Sequence, residues 1–153
     1  MAITDPAPSR PEITQALARG VQRLLIQRNY APLLEFTLGN GRRADIMALG
    51  PKGDILIVET KSGVEDFIVD MKWPEYRDYC DAFYFAVTVD FPQALVPEDV
   101  GLIIADGFGG EIVREAPRLS LAGARRKAVT LSFARLAAAR LLGAPLPDPA
   151  TET

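Results

Sequence analysis

Hydrophobic and polar positions make their clearest pattern between residues 42 and 61. Two apolar runs, Ile46-Met47-Ala48-Leu49 and Ile55-Leu56-Ile57-Val58, flank Gly50-Pro51-Lys52-Gly53-Asp54. Apolar, β-rich runs on either side of a Pro-Gly turn predict a β-hairpin. The loop Pro51-Lys52-Gly53 suits a type I turn closed by a left-handed glycine. It pairs Gly50 with Asp54 and, counting outward, Asp45 with Glu59. Directly opposed residues share a face, and Glu59 and Lys61 are two apart on one strand. The pattern therefore predicts Asp45, Glu59 and Lys61 together on one face, with Thr60 facing the other way.

The remaining elements follow from the same periodicities. Ser9-Arg10-Pro11-Glu12 reads as a helix start: a serine cap, a first-turn proline and a capping-box glutamate. Ile13, Leu17, Val21, Leu24 and Leu25 give the helix one apolar face, running to about Asn29. Residues 30–38 predict a strand and Gly39-Asn40-Gly41 a turn. After Ser62-Gly63, the positions of Val64, Phe67, Ile68 and Met71 predict an amphipathic helix. Pro74 interrupts it and opens a second short helix, 74–80. Residues 82–89 predict a buried strand. Residues 101–106 and 111–114 predict a second hairpin, and 121–142 an alanine-rich helix. These elements divide the chain into a loose arm, 1–10, one α/β domain, 11–143, and a tail, 144–153.

Composition narrows the chemistry. The chain has 153 residues, no histidine and a single cysteine, Cys80. That excludes a histidine-based triad and makes an internal disulfide impossible. Acid–base work must fall to carboxylates, lysine or metal-bound water. A net charge of −3 argues against a protein that coats nucleic acid by bulk charge. No run reaches the apolar length of a membrane span and no signal-peptide pattern opens the chain, so a cytoplasmic location is expected.

Two carboxylates a few ångströms apart repel unless a proton or a cation lies between them. A hard divalent cation such as Mg²⁺ takes carboxylate oxygens, keeps several waters and accepts phosphate oxygens. A neighbouring lysine can orient a water and stabilise charge on phosphate. Metal-assisted phosphodiester hydrolysis is the reaction these parts fit; a surface ion pair between Glu59 and Lys61 is the plainer alternative.

Asp45, a hairpin and Glu59-Thr60-Lys61 together resemble the PD-(D/E)xK nuclease superfamily. Asp66-Phe67, Asp70, Lys72-Trp73, Glu75-Tyr76, Cys80-Asp81 and Phe83 to Val87 resemble its MmcB-like branch, small bacterial DNA repair proteins. So do the glycine-rich segment 101–114 and the Arg125-Arg126-Lys127 helix start. The resemblance covers about residues 12–142. It implies a restriction-endonuclease-like core: a mixed β-sheet led by a β-meander and flanked by helices. It also implies Mg²⁺ (Mn²⁺ as an alternative) held by Asp45, Glu59 and the Thr60 carbonyl, with Lys61 positioning the attacking water.

The superfamily's proline before the aspartate is Ala44 here. The first-helix glutamate of many members has no clear counterpart, since Glu12 lies early and Gln22 occupies the expected place. Lys72 and Tyr76 resemble a polar residue and a tyrosine that flank the active site in one branch of the superfamily; half-buried packing is the alternative for Tyr76.

Arg42, Arg43 and the Arg125-Arg126-Lys127 run are the candidate phosphate contacts, with solvated surface as the alternative. The expected partners are DNA, a repair protein and a second copy across the last helix. The competing functional reading is a nuclease-fold protein, weakly active or inactive, that acts as a DNA-binding or docking factor in repair.

Overall fold

A computed structural model of the chain describes residues 6–143. The first five residues of the expected arm, and the expected tail, lie outside the described residues. Six strands form one mixed sheet in chain order: β1 (Ala31–Thr37), β2 (Arg43–Leu49), β3 (Ile55–Lys61), β4 (Ala82–Val87), β5 (Gly101–Ala105) and β6 (Gly110–Arg114). The first three make an antiparallel meander. β4 and β5 then add in parallel, and β6 closes antiparallel on β5. The expected α/β mixed sheet led by a meander is present.

Helix α1 (Arg10–Gln27) begins where the capping pattern puts it: the Glu12 N–H donates to the Ser9 hydroxyl at 3.4 Å. It buries Leu17, Val21, Leu24 and Leu25 against one face of the sheet, formed by Ile46, Ala48, Leu56, Val58 and Ile103. Gly20 sits at the closest approach. A β-carbon there would lie 1.9 Å from the Asp106 carbonyl oxygen, so any larger residue would push α1 off the β5–β6 turn.

The opposite face carries α2 (Val64–Val69), a 3-10 helix (Trp73–Tyr79) and α3 (Gly123–Leu142). Its core is Met47, Ile55, Ile57, Phe83 and Phe85, with Val129 and Phe133 from α3. Cys80 lies buried in it, and burial pushes its thiol up to about 12. Trp73 stacks on Phe83, with ring centroids 5.9 Å apart.

Two elements depart from their periodicity. α2 ends at Val69, and Ile68 and Met71, expected on its apolar face, are exposed; Val64 and Phe67 alone reach the core. Asp70 leaves the helical region at ψ 99°, which is why the pattern stops being read there. The strand expected over 82–89 ends at Val87, leaving Val89 in solvent.

The sheet's far end is fastened by one ion pair. The buried Asp81 accepts the Ile55 N–H at 2.7 Å and both terminal nitrogens of Arg126, at 2.6 and 2.5 Å. Arg126, first of all through these hydrogen bonds, holds the Asp81 carboxyl below the usual range. Its guanidinium also donates to the Gly53 carbonyl at 3.0 Å. Arg126→Ala should lower stability by about 2 kcal/mol, less than a fully buried pair because the guanidinium is partly open to water. Urea denaturation, with the exposed Lys127→Ala as control, measures it; equal midpoints would contradict the clamp.

Candidate active site

The hairpin has the register that its loop dictates. The Gly50 N–H donates to the Asp54 carbonyl at 2.8 Å and the Gly53 N–H to the Gly50 carbonyl at 3.0 Å. Gly53 has φ +89°, a left-handed conformation that glycine adopts without cost. Ladder pairs run from Leu49↔Ile55 to Ile46↔Val58, which sets Asp45 opposite Glu59 at the open end.

Irregular backbone next to that end shapes the site. The β1–β2 ladder skips from Leu34↔Ile46 to Phe36↔Ala44, and Glu35 between them has φ +53°. Arg140 takes the Leu34 and Glu35 carbonyls. The Asp45 N–H is thereby released from the sheet and donates to Glu59 Oε1 at 2.9 Å. The Thr60 N–H and hydroxyl donate to Asp45 Oδ2 at 2.9 and 3.2 Å. Thr60, expected to face away, thus reaches the cluster with its side chain, because the Asp45 carboxylate extends past the last ladder pair.

Asp45, Glu59, Thr60 and Lys61 line one open cleft of about 450 Å³, with Asp66 and Asp70 from the α2 side and Thr14 from α1. A larger, mostly apolar cavity of about 780 Å³ lies between α1 and the β5–β6 turn, and holds Glu12. The charged side chains converge on the smaller cleft. On α1 it is Thr14, not Glu12, that lines the cleft, with its hydroxyl donating to the Arg10 carbonyl.

Glu59 is 5% exposed. Burial, and then the Asp45 charge beside it, push its carboxyl up to about 9. Near neutral pH the protein on its own keeps a proton in this pair. Lys61 Nζ lies 2.7 Å from Asp70 Oδ2, and both side chains are only 14% exposed. Burial alone would raise the Asp70 carboxyl, but the Lys61 hydrogen bond and the Lys72 amide outweigh it and hold it below the usual range. Tyr76 donates its hydroxyl to the Arg43 carbonyl at 3.0 Å, and burial, ahead of the neighbouring carboxylates, keeps its phenol above its ordinary value.

Each carboxylate of the pair spends one oxygen on an N–H or hydroxyl donor, and the other opens to a cation once the shared proton leaves. Among the described residues, no group of three or more His, Cys, Asp or Glu side chains is arranged to hold a metal. Two hard oxygens at an open, wet cleft fit a cation that keeps most of its waters, as Mg²⁺ does. They do not fit an ion that needs a closed protein cage.

The candidate phosphate contacts separate into two groups. Arg42 stays beside the cleft but is paired with Glu75 at 2.6 Å. Arg43 is exposed at the start of β2, and Lys72 lines the cleft. Arg125, Arg126 and Lys127 lie at the opposite end of the sheet. Ile55, which Asp81 and Arg126 bracket, is separated from Lys61 by the length of β3, about 20 Å. Arg126 is committed to Asp81 and Gly53, and Arg125 rests over the Tyr79 ring at 4.6 Å while donating to the Asp78 carbonyl. Asp81 thus holds this run at the end of the sheet away from the carboxylates.

Asp70 is the cleft residue that residue patterning missed. It entered the sequence reading only as a position of the family resemblance, and its nine-residue spacing from Lys61 crosses a helix whose end periodicity cannot locate.

Three comparisons bear on this site. A family model described as DNA repair protein MmcB-like matches residues 3–148. A solved structure, a protein of unknown function from Silicibacter pomeroyi, is 45% identical; the match covers 92% of this chain and 94% of that one, with a TM-score of 0.83. Among curated proteins, no match was found.

Proposed function

Because the chain belongs to the MmcB-like DNA repair protein family, we propose that its cleft hydrolyses DNA phosphodiester bonds with Mg²⁺ or Mn²⁺. The observation that carries this reading is the pair formed by half-buried Asp45 on β2 and buried Glu59 near the carboxyl end of β3, with Lys61 two residues further on. A like-charged buried pair is costly unless something neutralises it, and an open cleft with two free oxygens suits a cation. On this reading the sheet is a restriction-endonuclease-like core of the PD-(D/E)xK superfamily. Asp45, Glu59 and the Thr60 carbonyl hold the metal, which supplies Lewis-acid stabilisation of the phosphate and a more acidic water.

The chain's own groups do the rest. The Thr60 N–H and hydroxyl hold the Asp45 carboxylate in one orientation. Lys61 positions the attacking water once its ammonium turns from Asp70. Lys72 and Arg43 receive the flanking phosphates.

One observation favours the second reading, a nuclease-fold protein with little or no turnover that binds DNA or a repair partner. Lys61 is closed on Asp70 in a nearly buried pair, and no third acid joins the carboxylates among the described residues.

Calorimetric titration with Mg²⁺ and Mn²⁺ tests the metal site. One ion should bind with release of about one proton at pH 7–8, since Glu59 must ionise; Asp45→Ala and Glu59→Ala should each abolish it. Binding that survives both substitutions would move the metal elsewhere. Metal binding without DNA cleavage would support the second reading.

A further inference from the structure

The rim of the cleft carries apolar residues that the fold does not use. Ile68, Val69 and Met71 are 62%, 76% and 83% exposed. Phe67, by contrast, turns inward onto Phe85 and Phe91, at 5.1 and 5.8 Å. α2 therefore satisfies its packing with Val64 and Phe67 and presents its end to solvent. Val69 and Lys72 both line the cleft with Asp45 and Glu59, so the apolar rim opens on the same space as the carboxylates through Val69, with Ile68 and Met71 beside it in the chain.

The charges at this mouth are mostly neutralised from within. Arg10 pairs with Asp66 and Glu65, Lys61 with Asp70, and Arg42 with Glu75. Among the described residues that line the cleft, Lys72 is the cation that makes no ion pair. One free cation is few for an intact duplex, whose binders gain affinity by neutralising many phosphates at once. It suffices beside a surface that gains its affinity from base faces. A duplex hides those faces in its stack, whereas unpaired or unstacked nucleotides present them, and Ile, Val and Met side chains can pack on them.

We propose that Ile68, Val69 and Met71 form a base-contacting rim, which makes single-stranded or unstacked DNA the preferred substrate of the cleft over intact duplex. This rests on the DNA reading above and specifies its substrate class.

Fluorescence anisotropy tests the rim without requiring turnover. Wild type, Val69→Ser/Met71→Ser and the distant surface variant Leu141→Ser are titrated against a labelled single strand and its duplex, in Ca²⁺ at fixed salt. Circular dichroism confirms that all three are folded. Wild type and Leu141→Ser should bind the single strand about tenfold or more tighter than the duplex. The double variant should lose about tenfold on the single strand and little on the duplex.

A duplex preference in wild type overturns the inference. So does a double variant that binds the single strand like wild type, which would mark the rim as a protein-facing surface. Cleavage in Mn²⁺ separates this from the hydrolysis reading. Duplex cut in preference to single strand defeats the rim and leaves hydrolysis standing. Rim-dependent binding of single strand with no cleavage supports the rim and removes hydrolysis.

Discussion

Asp45→Asn should abolish metal-dependent DNA cleavage, by about a thousandfold or more, without lowering the melting temperature. The large catalytic loss follows from the donor count: Asp45 supplies one of the two carboxylates that would hold the metal. The unchanged stability follows from the local bonding. An asparagine carbonyl can still accept the Thr60 N–H and hydroxyl that now hold Asp45 Oδ2. The exchange also removes the negative charge beside the buried Glu59, which relieves repulsion. A labelled-strand cleavage assay in Mn²⁺ and a thermal melt, on the same preparation, check both halves. Cleavage close to the wild-type rate would place the chemistry at another site.

Glu59→Gln should stabilise the metal-free protein and flatten its pH profile. The sign follows from proton counting. The folded carboxyl sits at about 9, while in the unfolded chain it returns to the ordinary carboxylate range. Between those values the folded protein binds more protons than the unfolded chain, so stability falls as pH rises. The loss is on the order of 3 kcal/mol by pH 7, and it is complete once pH passes the folded value. Glutamine has no proton to lose, and its carbonyl can keep the Asp45 N–H. Asp70 and Asp81, both held below the usual range, act at the acid end of the profile, and the raised Cys80 thiol acts only at its alkaline edge, so Glu59 governs the window between.

Urea denaturation from pH 5 to 9 in EDTA measures the effect. Wild type should weaken across that range while Glu59→Gln stays nearly level. Mg²⁺ should restore wild type most at the alkaline end, since the ionised carboxylate is the form that binds it. A level wild-type profile in EDTA would refute the buried protonated pair.

The carboxylate geometry was legible because it depends on local rules. A three-residue loop sets Gly50 against Asp54, and a period of two carries that register to Asp45 and Glu59; only the release of the Asp45 N–H depends on a distant residue, Arg140. The α1 start was legible for the same reason, since Ser9 and Glu12 lie within one turn. The run at residues 125–127 was not. Its sequence advertises a cation cluster, but its place depends on where α3 docks, and Asp81, 45 residues away from Arg126, decides that. Lys61 shows the same limit, since its partner Asp70 comes from beyond α2. The exposure of Ile68 and Met71 was hidden by periodicity itself, which describes a helix that the chain abandons at Val69.

Strand order and chain order coincide in this sheet, and that has a consequence for how the protein is made. Each new strand pairs with the one synthesised just before it, so every ladder closes over a modest loop and no strand waits for a distant partner. Such local connectivity favours rapid folding and suits assembly from the amino-terminal end during translation. Residues 45–72, which hold the carboxylates, the lysine and the apolar rim, leave the ribosome before the helix that fastens the far end of the sheet. The nascent chain thus acquires the parts of its cleft first and the clamp at the far end of its sheet last.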